Sequence, residues 1–450
     1  MPLLQRTWLK IYKNIILIRK TKVFFYDFSF FILKMFFFWY NVVRKSGDNV
    51  SRVVVIGGGA SGMIAAIKAK EKHDVILLEA NDKCGKKILL TGNGKCNYWN
   101  ANININNYNS DNLNFLNGII SEENKEKVLS FLENISLYPK IKNGYYYPYS
   151  NNANSVRTIF LNELARKKVK IINNFNVISI KKEKEEFIIE SDDSKIICDK
   201  VILATGSKAC PKTGSDGSGY LLASSLGHTI NKVTPALTPL IGNEPYFKSW
   251  DGVRCDSNIT LFIDNKKICE ELGEIQLTSY GVSGICIFNI SGIVTKSLSQ
   301  NKKVTININF LPTINMTFYE WFTLRNEKIP NHTIGELLES IIPYKLMYVL
   351  LKKSNVDENN YWHDLSDDKK LLLSKTIESF ELTITSYHSF DRCQVATGGI
   401  PLNEINCKTM ESTLVPNLYL VGEVLDVDGK CGGFNLAFAF ISGYIAGGSV

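Results

Sequence analysis

The sequence predicts an α/β fold: a Rossmann-like dinucleotide-binding domain interrupted by an insert with a β-rich part and a helical part. Three observations predict it. A strand, glycine turn, helix and second strand follow one another from Val53 to Glu79. A second apolar strand ends in the small-residue turn Ala204-Thr205-Gly206, and a late strand ends in Gly422-Glu423. The expected division is an N-terminal extension at 1–51, a first part of the nucleotide-binding domain at 52–232, the insert at 233–390, and a second part at 391–450.

The first unit carries the clearest chemistry. Val53-Val54-Val55-Ile56 is apolar and β-branched, as suits a strand buried on both faces. Gly57 to Gly62 then spells G-x-G-x-x-G, with Ala60 and Ser61 between the glycines. Gly57 permits the tight turn, Gly59 lets a pyrophosphate approach the backbone, and Gly62 lets helix and strand pack closely. The next residues, Met63 to Lys70, suit a helix whose N-terminal N–H groups and dipole face the phosphates. Val75-Ile76-Leu77-Leu78 is the second strand, and Glu79 at its end suits the hydroxyls of an adenosine ribose.

Beyond Glu79, the stretch Lys86 to Asn97 sets Asn93 between Gly92 and Gly94 among small polar residues, a composition that suits a loop running along a ligand. Lys87, Asn93, Gly94 and Asn97 are the candidate contacts there. Residues 101–115 are Asn-rich and read as surface loop; Ser121 to Asn134 and Asn154 to Lys167 read as helices. Val169 to Glu190 reads as two strands joined by a charged turn. Lys200 to Leu203 is a strand, and Pro211 to Gly219 leads into a helix, Tyr220 to Leu226. In the insert, Ile259 to Ile263, Ile268 and Ile285 to Ile290 read as short strands, and Thr317 to Phe380 mostly as helices. The last helix follows Gly433, with Gly443 and Ala446 small enough to admit a close neighbour.

A phosphate loop, a strand ending in A-T-G, and a late Gly-acid followed by a helix are the three separated contacts of an FAD protein of the two-dinucleotide flavoprotein type. In such a protein the late acid reaches the ribityl chain, and the last helix points its N-terminus at the pyrimidine edge of the ring. Candidate FAD contacts are therefore Gly57, Gly59, Ala60, Ser61, Gly62 and Glu79, with Ala204, Thr205 and Gly206, and with Gly422, Glu423, Gly433, Asn435 and Leu436. NADH or NADPH is a candidate electron donor. Tyr280, Ser283 and Cys431 are weak candidates for the substrate side, and no general base stands out.

Charge and cysteine usage narrow the function classes. The formal net charge is +8, but nine Lys/Arg and two Asp in the first 50 residues account for +7, leaving +1 for the other 400. That balance gives no broad basic face, so no nucleic-acid partner is expected. Ten cysteines are scattered with no C-x-x-C, and five histidines form no H-x-x-H, so no metal is expected. The cysteines read as reduced thiols, which places the chain in the cytoplasm. A Cys84–Cys96 redox pair is disfavoured by its spacing.

The first fifty residues pose a separate question. Val23 to Val43 has a length that suits a membrane helix, but Asp27 and Lys34 interrupt it, each costing up to ~3 kcal/mol near the bilayer centre. It reads as an upstream extension, with a membrane-associated segment and a docked helix as alternatives; membrane contact is expected only through residues 1–50.

The chain resembles the bacterial aminoacetone oxidase/BaiN-like flavoproteins over roughly residues 52–450. The resemblance rests on IGGGASGM (56–63), KKILLTGNGKCN (86–97), ATGSKACPKTGSDGSGY (204–220), GEIQLTSYGVSG (273–284), ATGGI (396–400) and LVGEVLDVDGKCGGFNLAFA (420–439). It implies an FAD-dependent oxidoreductase acting on a small organic molecule by hydride transfer at flavin N5, by amine oxidation or by reduction of a conjugated double bond. A flavoprotein that modifies tRNA and a non-catalytic flavin-dependent sensor are the alternatives. Ser207, Ser279 and Ile285 depart from the family pattern, which commonly has Gly, His and Pro there, so the substrate does not transfer with the resemblance.

Overall fold

The computed structural model describes residues 50–450; the expectations for the N-terminal extension lie outside them. Five parallel strands form the central sheet, in the order Leu418–Leu420, Lys200–Leu203, Arg52–Ile56, Asp74–Leu78, Lys170–Ile172. Val53, Val54 and Val55 are fully buried, as an inner parallel strand covered on both faces requires. Helix Ala60–Ala69 covers the sheet, and the final helix, Phe434–Ser449, packs against it. Their approach depends on small residues. A Cβ at Gly443 would lie 2.4 Å from Ser61 O, and one at Gly447 would lie 2.4 Å from Ala65 O.

The expected helices are present at Glu122–Asn134, Ala153–Arg166 and Ser218–Ser225. The stretch from Val169 to Glu190 holds Lys170–Ile172 of the central sheet and a hairpin, Ser179–Glu183 with Glu186–Glu190. Lys195–Cys198 completes a three-stranded antiparallel sheet with that hairpin. Within 101–115 the chain is more ordered than a loop: Tyr108–Asn109 pairs with Asp428–Gly429, and a helix begins at Leu113.

Strand Asn231–Ala236 leads away from this sheet, and Val395–Gly399 returns antiparallel beside it. Between them lies a closed six-stranded barrel, in the order Leu240–Gly242, Gly281–Gly284, Lys266–Thr278, Arg254–Ile263, Val304–Asn309, Phe380–Tyr387. A helical part, Phe318–Lys328, Ile334–Glu339, Tyr344–Lys353 and Asp367–Glu378, adjoins it. Thr317 with Glu320 and Thr333 with Glu336 form capping boxes that start the first two of these helices. Barrel and helices share one buried apolar cluster, running from Leu240 to Ile384, distinct from the cluster around the parallel sheet.

One segment differs from expectation. Ile285 to Ile290 is the start of a helix, Ile285–Leu298, not a strand. Its β-branched run looks strand-like over six residues, but Cys286, Ile287, Ile290, Val294 and Thr295 are buried at helical spacing across the whole segment. Among the described residues no helix is long and apolar enough to cross a membrane.

Candidate functional site

The glycine turn is built as the sequence implies. Gly57 has φ +103, and a Cβ there would meet Ala204 O at 2.4 Å; one at Gly62 would meet Gly57 O at 1.9 Å. At Gly59 a Cβ would meet nothing within 4 Å. Two glycines thus serve the fold, while the third leaves open space at the head of helix Ala60–Ala69. That helix has neither a side-chain cap nor an acid in its first turn, so its first N–H groups are available to an anion. Glu79 is buried at the next strand end, where Oε2 accepts from Gly58 N–H at 2.9 Å and Oε1 accepts from Asn81 N and Nδ2, both at 2.8 Å. These bonds hold the carboxylate at the turn.

The A-T-G turn abuts the first turn. Ala204 N–H donates to Ile56 O at 2.8 Å, and the strands Arg52–Ile56 and Lys200–Leu203 pair directly. Thr205 Oγ1 is buried with no hydrogen-bond partner among the described residues, and it lies 1.8 Å from where a Gly219 Cβ would sit. Gly206 has φ +75.

The late turn joins the loop after Glu79. Lys87 Nζ meets Glu423 Oε2 at 2.6 Å, both side chains largely covered, and Glu423 Oε1 accepts from Ala396 N–H at 3.2 Å. Asn97 lies against Gly433: a Cβ there would meet Asn97 Oδ1 at 2.8 Å and Trp99 O at 2.5 Å. Asn93 and Gly94 are exposed, and a Cβ at Gly94 would meet nothing within 4 Å. Gly422 approaches Ser61, whose Oγ would be 2.5 Å from its Cβ. The early glycines and the late acid-bearing turn therefore share one face.

The closing helix, Phe434–Ser449, starts at Gly433 with φ +94, again without side-chain cap or early acid. The Asn435 amide bonds Gly429 twice, at 2.8 and 2.7 Å, which commits its side chain to the turn. Leu436 is half-buried against the core. Free N-termini of both helices, the open volume at Gly59 and the orphaned Thr205 hydroxyl all fit an extended dinucleotide with a negatively charged far end.

Sequence reasoning missed Asp428 and His388; it offered Asp426 as a weaker candidate, an acid that stabilises the loop. Asp428 is buried; Oδ2 accepts from Asn109 Nδ2 at 3.0 Å while Oδ1 has no partner among the described residues, and burial pushes its pKa up to about 7. Asp426 is also raised by burial, and it accepts from Asn231 Nδ2 at 2.8 Å and Gly398 N–H at 3.1 Å. His388 stacks edge-on to Tyr280 with ring centroids 4.7 Å apart. Its Nε2 is buried without a hydrogen-bond partner among the described residues, and burial, then Arg392, lowers its pKa. Ser283 is buried on the barrel strand Gly281–Gly284. Cys431 is held by its N–H on Asn289 Oδ1 at 2.9 Å, and burial pushes its thiol up to about 12. All ten cysteines are free thiols, and burial raises Cys84 to about 12 and Cys96 to about 11. No local pattern marks Asp428 or His388 in the sequence; each acquires its surroundings from distant segments.

Residues 51–449 match the family model described as HI0933-like protein Rossmann domain. The chain is 38% identical over 402 residues to a 3-dehydro-bile acid delta(4,6)-reductase of Clostridium scindens, covering 88% of this chain and 98% of that one. It is 25% identical to a ribosomal RNA dihydrouridine synthase of Escherichia coli, over 87% of this chain and 96% of the other. Among solved structures, a 3-ketosteroid-delta4-(5alpha)-dehydrogenase from Rhodococcus jostii RHA1 matches with a TM-score of 0.43 and 13% identity, covering 91% of this chain and 98% of that one.

Proposed function

The chain belongs to the HI0933-like Rossmann family and is an FAD-dependent oxidoreductase, and we propose that it reduces a carbon–carbon double bond conjugated to a carbonyl in a small organic molecule. The observation that carries this reading is the 38% identity, along nearly the whole of both chains, to a reductase of that chemical type. The chemistry a bound FAD supplies is hydride transfer at N5 of its ring. The remaining roles fall to the chain. Gly57 to Gly62 and the head of helix Ala60–Ala69 cradle the diphosphate, and Glu79 takes the ribose. Glu423, oriented by Lys87, takes the ribityl chain. The bare N-terminus of Phe434–Ser449 favours negative charge on the ring edge.

On the substrate side, Tyr280 and His388 are the groups that hydrogen-bond the substrate carbonyl. Cys431 stays protonated at neutral pH and acts by packing, not as a nucleophile. NADH or NADPH is the proposed donor, and the reducing cytoplasm, which suits ten free thiols, the proposed location.

The test is anaerobic. Purified yellow protein is reduced with NADH or NADPH, then mixed with conjugated enones, including 3-oxo-Δ4 steroids, and separately the oxidised protein is mixed with small amines. Stoichiometric reoxidation by an enone, with saturated product, is expected. Bleaching by amines with no reoxidation by any enone would overturn the proposal. The second reading, reduction of a uracil ring in RNA, is favoured by the 25% match to the ribosomal RNA dihydrouridine synthase. Reoxidation by ribosomal RNA with dihydrouridine formation, and none by enones, selects it.

A further inference from the structure

The segment Lys430–Gly433 delivers the chain into the closing helix, and it contains Gly432 at φ +125 followed by Gly433 at φ +94. Two such glycines in succession give a turn little stiffness of its own. Its orientation is set by bonds from outside. On the side of the parallel sheet, Lys430 N–H donates to Asn107 O at 2.9 Å, and Asn100 Nδ2 donates to Gly432 O at 2.8 Å. The other bonds come from the barrel region. Asn289, on helix Ile285–Leu298, accepts from Cys431 N–H at 2.9 Å. Glu271, on strand Lys266–Thr278, pairs with Lys430 Nζ, and it accepts from Asn289 Nδ2 at 3.1 Å. The Glu271 side chain is only 14% exposed, so solvent screens this pair weakly.

We propose that Asn289 and Glu271 are positioning residues for the flavin: they form a latch that fixes the turn before the closing helix and so sets how tightly FAD is held and how readily it accepts electrons. The inference rests on the FAD reading above. Asn289 acts by geometry. A helix dipole is felt only within about its first turn, so a turn that drifts withdraws its N–H groups from the ring edge. Glu271 acts by charge. It neutralises Lys430, whose ammonium would otherwise add positive potential beside the reduced, negative ring.

The test measures FAD affinity by reconstitution of apoprotein and midpoint potential by equilibration with a reference dye, on the full chain. Asn289→Ala is expected to weaken FAD binding roughly tenfold and make the potential more negative. Glu271→Gln, which keeps the shape and frees the Lys430 charge, is expected to make the potential more positive; Lys430→Met is expected to move it the opposite way. A merely structural role would shift these last two variants in the same direction, in step with melting temperature, and that result overturns the proposal. Wild-type values for Asn289→Ala in both affinity and potential overturn it as well. If Asn289→Ala fails to fold, the Glu271→Gln and Lys430→Met pair decides alone. A wild-type protein that takes up no FAD defeats the underlying reading, a failure distinct from flavin-bound variants that do not shift.

Discussion

Gly59 separates the needs of the fold from those of the ligand. Its φ of −78° is ordinary for any residue, and a methyl group there would touch nothing. Gly59→Ala is therefore expected to leave the melting temperature of the apoprotein unchanged while weakening FAD binding by roughly tenfold or more, as titration with FAD would show. Asp428 makes a second prediction, in pH. Its pKa rises from 3.8 unfolded to about 7 folded, so the native state binds its proton more tightly. The stabilisation is complete below about pH 4 and is lost as pH rises through 7. Relative to Asp428→Asn, the wild type should lose ground in urea midpoint across that window; a constant difference would show that Asp428 titrates normally. At this scale the sequence revealed what was local. Gly57 to Gly62 and Glu79 lie within one short unit, where spacing alone states the geometry. Asn289 and Cys431 are 142 residues apart, and Glu271 and Lys430 are 159 apart; no spacing rule connects them.

Among elements, the contact between helices Ala60–Ala69 and Phe434–Ser449 is the most exacting. Gly443 sits where a Cβ would press on Ser61 O and, at 2.6 Å, on Ile64 Cγ2. Gly443→Ala is expected to cost roughly 1–3 kcal/mol of stability and to shed flavin, because the shifted partner is the helix proposed to hold the diphosphate; urea denaturation and the flavin-to-protein absorbance ratio measure the two effects. That small residues mark this contact was legible in the sequence, since a helix that admits Gly at such a position signals a near neighbour. The barrel was not. Its closure pairs Leu240–Gly242 with Phe380–Tyr387 across the whole insert, and no local periodicity encodes which strands meet. Helix Ile285–Leu298 escaped for a different reason, its opening residues being as β-branched as those of a strand.

For the molecule as a whole, the family match begins at residue 51 and the central sheet at Arg52. A chain lacking residues 1–50 is expected to bind the same molar ratio of FAD as the full chain; an apoprotein that cannot be reconstituted would show that the first fifty residues belong to the nucleotide-binding fold. We further propose that the barrel and its helices act as a separable insert, with boundaries near 233 and 390. The outgoing strand Asn231–Ala236 and the returning strand Val395–Gly399 are bonded to each other, so the polypeptide departs and comes home at neighbouring points. A graft made through such paired stalks imposes no stretch on the remainder, whatever the length of the passenger. Substrate choice can then be rewritten by exchanging the passenger, and the electron-carrying chassis keeps its tuning when the newcomer brings counterparts of Asn289 and Glu271.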